Sequence, residues 1–149
     1  MKDVHGNFDP ALTRNVLISI KGLMGTDEDG EDIELVTGGR YGFEEKRAAF
    51  EYMESELTGM KGTKTRVSVE PDEVLITRSG TVNMQMIFAE GRKHYFNYDT
   101  PYGSMTMGLA TQSIKSELGR DGGRLEVNYL MDLDSAMTTR NKVEIEIKA

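Results

Sequence analysis

The sequence predicts an all-β fold, a single-domain antiparallel barrel or sandwich of about eight to ten strands spanning residues 1–149, on three observations. Apolar and polar residues alternate with a period of two along most of the chain, which sends successive side chains to opposite faces of a strand. Glycine, Pro, Asp, Asn and Ser punctuate these runs at roughly eight- to twelve-residue intervals, the rhythm of a barrel or sandwich. No linker or low-complexity stretch divides the 149 residues, a length that builds one core without a staple.

Taken in order, residues 1–12 carry Asp3, His5, Asn7, Asp9 and Pro10 and no periodic pattern, so a mobile N-terminal segment is expected there. The same polar residues interrupt any apolar run of the kind a signal peptide needs, which sets a cytoplasmic location as the expectation. Val16, Ile18 and Ile20 define the first strand, and Ile33, Leu35 and Thr37 the second. Between them Asp27-Glu28-Asp29-Gly30 supplies an Asp-Gly hairpin turn. Gly38-Gly39-Arg40-Tyr41-Gly42 continues a strand pattern and lacks the lysine of a phosphate-cradling loop.

Phe43 to Leu57 is ambiguous. Its Glu, Lys, Ala and Met residues favour helix, and Phe43, Phe50 and Leu57 recur at sevens, so period and propensity read as helix. The rival reading is a strand with Ala48, Phe50, Tyr52, Glu54 and Glu56 on one face. Further on, Thr65, Val67 and Val69 alternate up to the turn at Pro71-Asp72, followed by Val74 and Ile76. Ser79-Gly80 precedes Val82, Met84, Met86 and Phe88; Glu90-Gly91 precedes His94, Phe96 and Tyr98. After Asp99-Thr100-Pro101-Tyr102-Gly103 come Met105, Met107 and Leu109, then a turn at Gly119, Gly122 and Gly123. Leu125 to Leu133 is the longest clean alternation, and Val143, Ile145 and Ile147 close the chain.

Composition removes several chemistries. With no cysteine there is no disulfide, thiolate nucleophile or Cys-ligated metal. The only histidines, His5 and His94, form no metal-binding pair, and no Gly-x-Ser-x-Gly elbow positions a serine. His94, beside Arg92 and Lys93, reads as a surface residue at a strand start. The acidic run Asp27 to Asp32 fails as a calcium loop, because setting Gly30 at the sixth position puts Gly25 and Val36 where carboxylates are required. Neither metal nor cofactor is therefore expected.

Twenty-five acidic against eighteen basic residues give a net charge of −7, which disfavours nucleic acid and anionic lipid. The best basic cluster, Lys61, Lys64 and Arg66, has no aromatic platform interleaved with it. No run approaches the roughly 20 apolar residues of a spanning helix, so no membrane partner is expected.

The succession Phe50-Glu51-Tyr52-Met53-Glu54, Arg78-Ser79-Gly80, Asn97-Tyr98-Asp99-Thr100-Pro101-Tyr102-Gly103 and Gly123-Arg124-Leu125-Glu126-Val127-Asn128-Tyr129 resembles the YwiB-like family of bacterial β-barrel proteins. The resemblance runs from Asn15 to Lys148. It implies a calycin-like, lipocalin-like barrel, in which Phe43 to Leu57 is mostly strand, and it brings no catalytic residues because the family's function is uncharacterised. A small apolar ligand in the lumen is then an expectation from fold analogy.

Strand parity selects the candidate residues. If Val74 and Ile76 point inward so does Arg78, and if Phe50 and Tyr52 point inward so do Glu54 and Glu56. Buried charges must be paired, so an Arg78–Glu54 pair is one reading. The other has Arg78, with Tyr52 or Tyr98, meeting a ligand carboxylate or phosphate. Met84 and Met86, with Met105 and Met107, either fill the core or line an adaptable pocket. The expected function is thus non-enzymatic binding of a small apolar or amphipathic molecule by Arg78, Tyr52, Glu54, Tyr98, Met84 and Met86. The alternative is an interaction module with a self-filled core, pairing with a partner or as a homodimer through outward residues such as Leu17, Val36 and Leu130.

Overall fold

The computed structural model describes residues 13–24, 31–56, 60–133 and 137–149. The readings made for residues 1–12, the turn Asp27–Gly30 and Leu57 lie outside these. The elements are β1 (Arg14–Met24), β2 (Glu31–Glu44), β3 (Arg47–Met53), β4 (Lys64–Val69), β5 (Val74–Ser79), β6 (Met84–Phe88), β7 (Lys93–Thr100), β8 (Gly103–Gly119), β9 (Gly122–Leu133) and β10 (Met137–Lys148). They form one ten-stranded antiparallel sheet in the order β6-β5-β4-β3-β2-β1-β10-β9-β8-β7.

The two end strands curl round to meet, and the sheet becomes a nearly closed barrel. Asn83 and Asp99 exchange N–H···O bonds of 2.9 and 3.0 Å between the β6 and β7 edges. The loop after β6 is stitched to β8, where Gly91 N–H donates to Thr111 O at 3.0 Å and Thr111 N–H to Arg92 O at 3.1 Å. Closure satisfies edges that would otherwise template pairing with other chains.

Register explains why alternation encodes this shape. Tyr41 pairs with Phe50, Phe50 with Val67, Val67 with Ile76 and Ile76 with Met86, so one apolar row crosses β2 to β6 on the inner face. Phe50, Phe88 and Leu109 are fully buried in the resulting core, and truncating any of them to alanine costs about 2–5 kcal/mol. Gly39 belongs to the same wall because a Cβ there would run into Glu51 O and Ile18 Cδ1. Tyr41 spans the barrel end, its hydroxyl donating to Gly119 O at 2.6 Å. Burial pushes that hydroxyl up to about 12, against the opposing field of Arg14.

The helix read from the pattern of residues 43–57 does not form. Glu45 and Lys46, with φ of 47° and 69°, make a two-residue turn of the kind that joins twisted hairpin strands. β3 then pairs with both β2 and β4. Helix propensity worth tenths of a kcal/mol per residue yields to two ladders and the burial of Ala48, Phe50 and Tyr52. The strand stops at Met53, and Glu56 lies exposed beyond it beside Lys61.

The outer face of β8, β9 and β10 is a charge ladder. Lys142 Nζ lies 3.1 Å from Glu126 and 3.0 Å from Glu144, and Arg124 lies 3.2 Å from Glu144. The Lys142 hydrogen bond holds the Glu144 carboxyl below the usual range. The described residues contain no helix long and apolar enough to cross a membrane.

Candidate functional site

The inward parity of β3 and β5 brings a carboxylate and a guanidinium together at one end of the barrel. Glu54 follows β3 directly, and its N–H donates to Thr63 O at 2.8 Å, holding the chain extended so that the side chain turns inward. Thr65 Oγ1 donates to Glu54 Oε2 at 2.5 Å. Arg78 Nε lies 3.5 Å from the same oxygen and donates to Thr65 Oγ1 at 3.3 Å. Only 1% of the Glu54 side chain is exposed, against 20% for Arg78, so the carboxylate is enclosed while the guanidinium reaches the mouth.

Tyr52 completes the cluster. Burial and the neighbouring Glu54 carboxylate push its hydroxyl up to about 12, while Arg78 and Thr65 hold it back through hydrogen bonds and charge. Arg78 is felt as far as Tyr129 on β9, whose hydroxyl is also pushed up by burial and opposed by the guanidinium charge. The cation is thus close enough to both tyrosines to oppose their shifts. Its contacts with Thr65 and Glu54 run through Nε, one of the five N–H bonds of the fork.

The mouth is partly apolar. Arg78 pairs in register with Met84, and Tyr98 with Met105. Tyr98 packs half-buried against the core, and Met105 is 41% exposed at the start of β8. The adjoining turn carries Tyr102, which is almost wholly exposed. Among the six residues singled out from the sequence, Tyr52, Glu54, Met84 and Met86 are buried in the wall, while Arg78 and Tyr98 reach the rim. Tyr102 and Tyr129 were not singled out, and Met105 was weighed only beside Met107 as core or pocket lining. The signal for Tyr102 and Met105 was their place beside the Pro101–Gly103 turn, where a strand must end at a rim.

Other readings sort as follows. His94, read as a surface residue, is half-buried: it sits in register with Leu109 and its Nδ1 is buried. Its inward parity with Phe96 and Tyr98 outweighs the two cations before it. Lys61 lies 3.1 Å from Glu56, Lys64 3.2 Å and Arg66 3.1 Å from Glu51, so each cation of that cluster stands beside a carboxylate. No group of three or more potential metal ligands occurs among the described residues.

A cleft of about 630 Å3 opens at the opposite end of the barrel, lined by Glu70, Asp72, Glu73, Glu90, Arg92 and Ile114. Two of its carboxylates are structural. Glu70 meets Arg47 at 2.7 Å, and Glu90 Oε1 accepts the Ile114 N–H at 2.7 Å.

Residues 18–145 match a domain of unknown function, DUF1934. The chain belongs to the DUF1934 family. It is 31% identical over 116 residues to the uncharacterized beta-barrel protein YwiB of Bacillus subtilis (strain 168), covering 78% of this chain and 80% of that one. The crystal structure of the ywiB protein from Bacillus subtilis superposes with a TM-score of 0.82 at 26% identity over 93% of each chain. The DUF1934 match runs from β1 to β10 and thus contains Glu54, Thr65, Arg78, Tyr98 and Met105.

Proposed function

We propose that this DUF1934 protein binds a small amphipathic molecule carrying one acidic group, seated at the barrel mouth rather than deep in the lumen. The observation that carries the reading is the two-sided position of Arg78. Its Nε faces Glu54 and Thr65 and it also hydrogen-bonds Tyr52, while one-fifth of its side chain stays exposed at the end of the barrel that carries Met84. A planar guanidinium recognises a carboxylate or phosphate through paired N–H donors. Tyr98 and Met105 give the attached chain an adaptable apolar surface. Met84 and Met86 are buried as part of the core, which supports a ligand outside the packed interior.

The test is native mass spectrometry of freshly purified protein beside the double variant E54L/R78M, which removes the pair without stranding a buried charge. An added mass that leaves the wild type on denaturation and is missing from the variant supports the reading. The same added mass on both proteins, or on neither after incubation with a metabolite extract, overturns it.

A second reading has one observation of its own. Leu17 and Val36 are 48% and 55% exposed on adjacent strands, around the register pairs Leu17–Gly38 and Ser19–Val36. They form an apolar spot on a flat outer wall suited to a second copy. Leu130 is no part of it, since β9 meets β10 there at Arg140, far along the strand from the Leu17–Lys148 pair. Sedimentation velocity of wild type and L17E checks this reading: a dimer that L17E dissociates supports it, and a concentration-independent monomer rejects it.

A further inference from the structure

A second set of polar groups faces the lumen from β8, β9 and β10. Thr111 on β8 pairs with Tyr129 on β9, and Tyr129 with Asn141 on β10, so the three form one row across the inner wall. Thr111 and Asn141 are 4% and 2% exposed. Neither Thr111 Oγ1 nor Asn141 Oδ1 has a hydrogen-bond partner in the protein, and the same is true of the buried Nδ1 of His94 on the neighbouring β7. Leaving such atoms unpaired costs about 1–3 kcal/mol each, so an orphaned pair in one row calls for a partner that is not protein.

The chemistry of the missing partner can be read from the groups around it. Asn141 Nδ2 donates to Thr139 O at 3.3 Å and to Thr139 Oγ1 at 3.1 Å, which uses the amide nitrogen and leaves Oδ1, an acceptor, as the unpaired atom. The guest must therefore supply an N–H or O–H donor. A hydroxyl at Thr111 can give or take a bond. Thr111 and Asn141 flank β9 at two strand spacings, about 10 Å between backbones, too far for the side chains to bond each other and a span that one or two waters bridge. The charge of Arg78 reaches Tyr129 in this row and disfavours a cation. Phe88 stands edge-on to Tyr129 with ring centroids 5.0 Å apart.

We propose that Thr111 and Asn141 form a buried seat for one or two neutral, water-sized hydrogen-bond donors, filled by ordered water. The seat does not depend on the ligand proposed at the mouth.

A high-resolution crystal structure of the wild type, together with thermal unfolding of T111V and N141L, tests it. The expected result is ordered oxygen within hydrogen-bond distance of Asn141 Oδ1 and of Thr111 Oγ1, as one shared site or a bridging pair, with the Tm of T111V lowered by about 2–4 °C. T111V is near-isosteric and keeps the inner face β-branched, so it guards against N141L failing to fold. A row with no ordered oxygen overturns the proposal, whether its polar atoms turn to protein partners or stay orphaned with a Tm of T111V that holds or rises. Where density and Tm disagree, the density decides. Occupation by a larger additive molecule overturns the water-sized claim.

Discussion

Glu54 and Asn141 both sit on the inner wall of the barrel, one a carboxylate and the other a neutral amide, yet it is the carboxylate whose oxygen is met by protein groups. Thr65 and Arg78 converge on Glu54 Oε2, whereas Asn141 Oδ1 and Thr111 Oγ1 meet no protein partner. The difference follows from magnitude. An unpaired buried ion costs several kcal/mol and must be answered by fixed groups, while an unpaired amide or hydroxyl costs about 1–3 kcal/mol and can be answered by water. The price of the fixed answer is a long arginine held at the barrel mouth, where the same side chain is positioned to meet a ligand.

The largest expected effect comes from breaking the ionic cluster on one side. Replacing Arg78 by alanine strands the Glu54 carboxylate and is expected to destabilise the fold by about 3–5 kcal/mol, read from denaturant unfolding. The double variant E54L/R78M, which removes both charges, should recover most of that loss. Equal losses in the single and double variants would mean that packing rather than charge decides the site.

Next comes alkaline pH. Tyr41 and Tyr52 have hydroxyls pushed up to about 12 by burial, against about 10 in an unfolded chain. A group whose folded pKa is raised gives its stability in full below the unfolded value. Unfolding free energy should therefore hold up to about pH 10 and fall steadily toward pH 12. Tyr52→Phe should flatten that fall, whereas a profile unchanged by the substitution would detach it from the cluster.

The smallest effect is expected on the outside. Glu126→Gln removes a carboxylate that Lys142 contacts at 3.1 Å and Lys115 at 3.7 Å. Its Tm should move by no more than about 2 °C, and high salt should erase the change, because exposed ladders are screened. The contribution of Glu144, whose pKa is lowered by Lys142, is present at neutral pH and lost as pH falls through its folded value. A large Tm drop in Glu126→Gln would make the outer ladder, rather than the lumen, the structural centre of the fold.

Much of this architecture was legible because a barrel enforces parity. The inward set Val74, Ile76 and Arg78, like Phe50, Tyr52 and Glu54, follows from period two alone once the strands are accepted. Residues 43–57 were not legible from pattern, since the turn at Glu45–Lys46 uses positive φ at residues that carry no turn signal. His94 was masked by the charges before it, and its orientation is set by its register with Leu109. The row Thr111–Tyr129–Asn141 lay beyond reach because a register shift between Thr111 and Ser113 breaks the parity of β8, so its partners across β9 and β10 cannot be counted from the sequence.

The most direct measurement is a calorimetric titration of decanoate, with decanol as the uncharged control, into wild type and E54L/R78M. The account predicts saturable one-to-one binding of decanoate to the wild type, much weaker binding of decanol, and loss of the decanoate preference in the double variant while its fold is retained. Decanoate and decanol binding equally well, or a preference for decanoate that survives removal of Arg78, would contradict it.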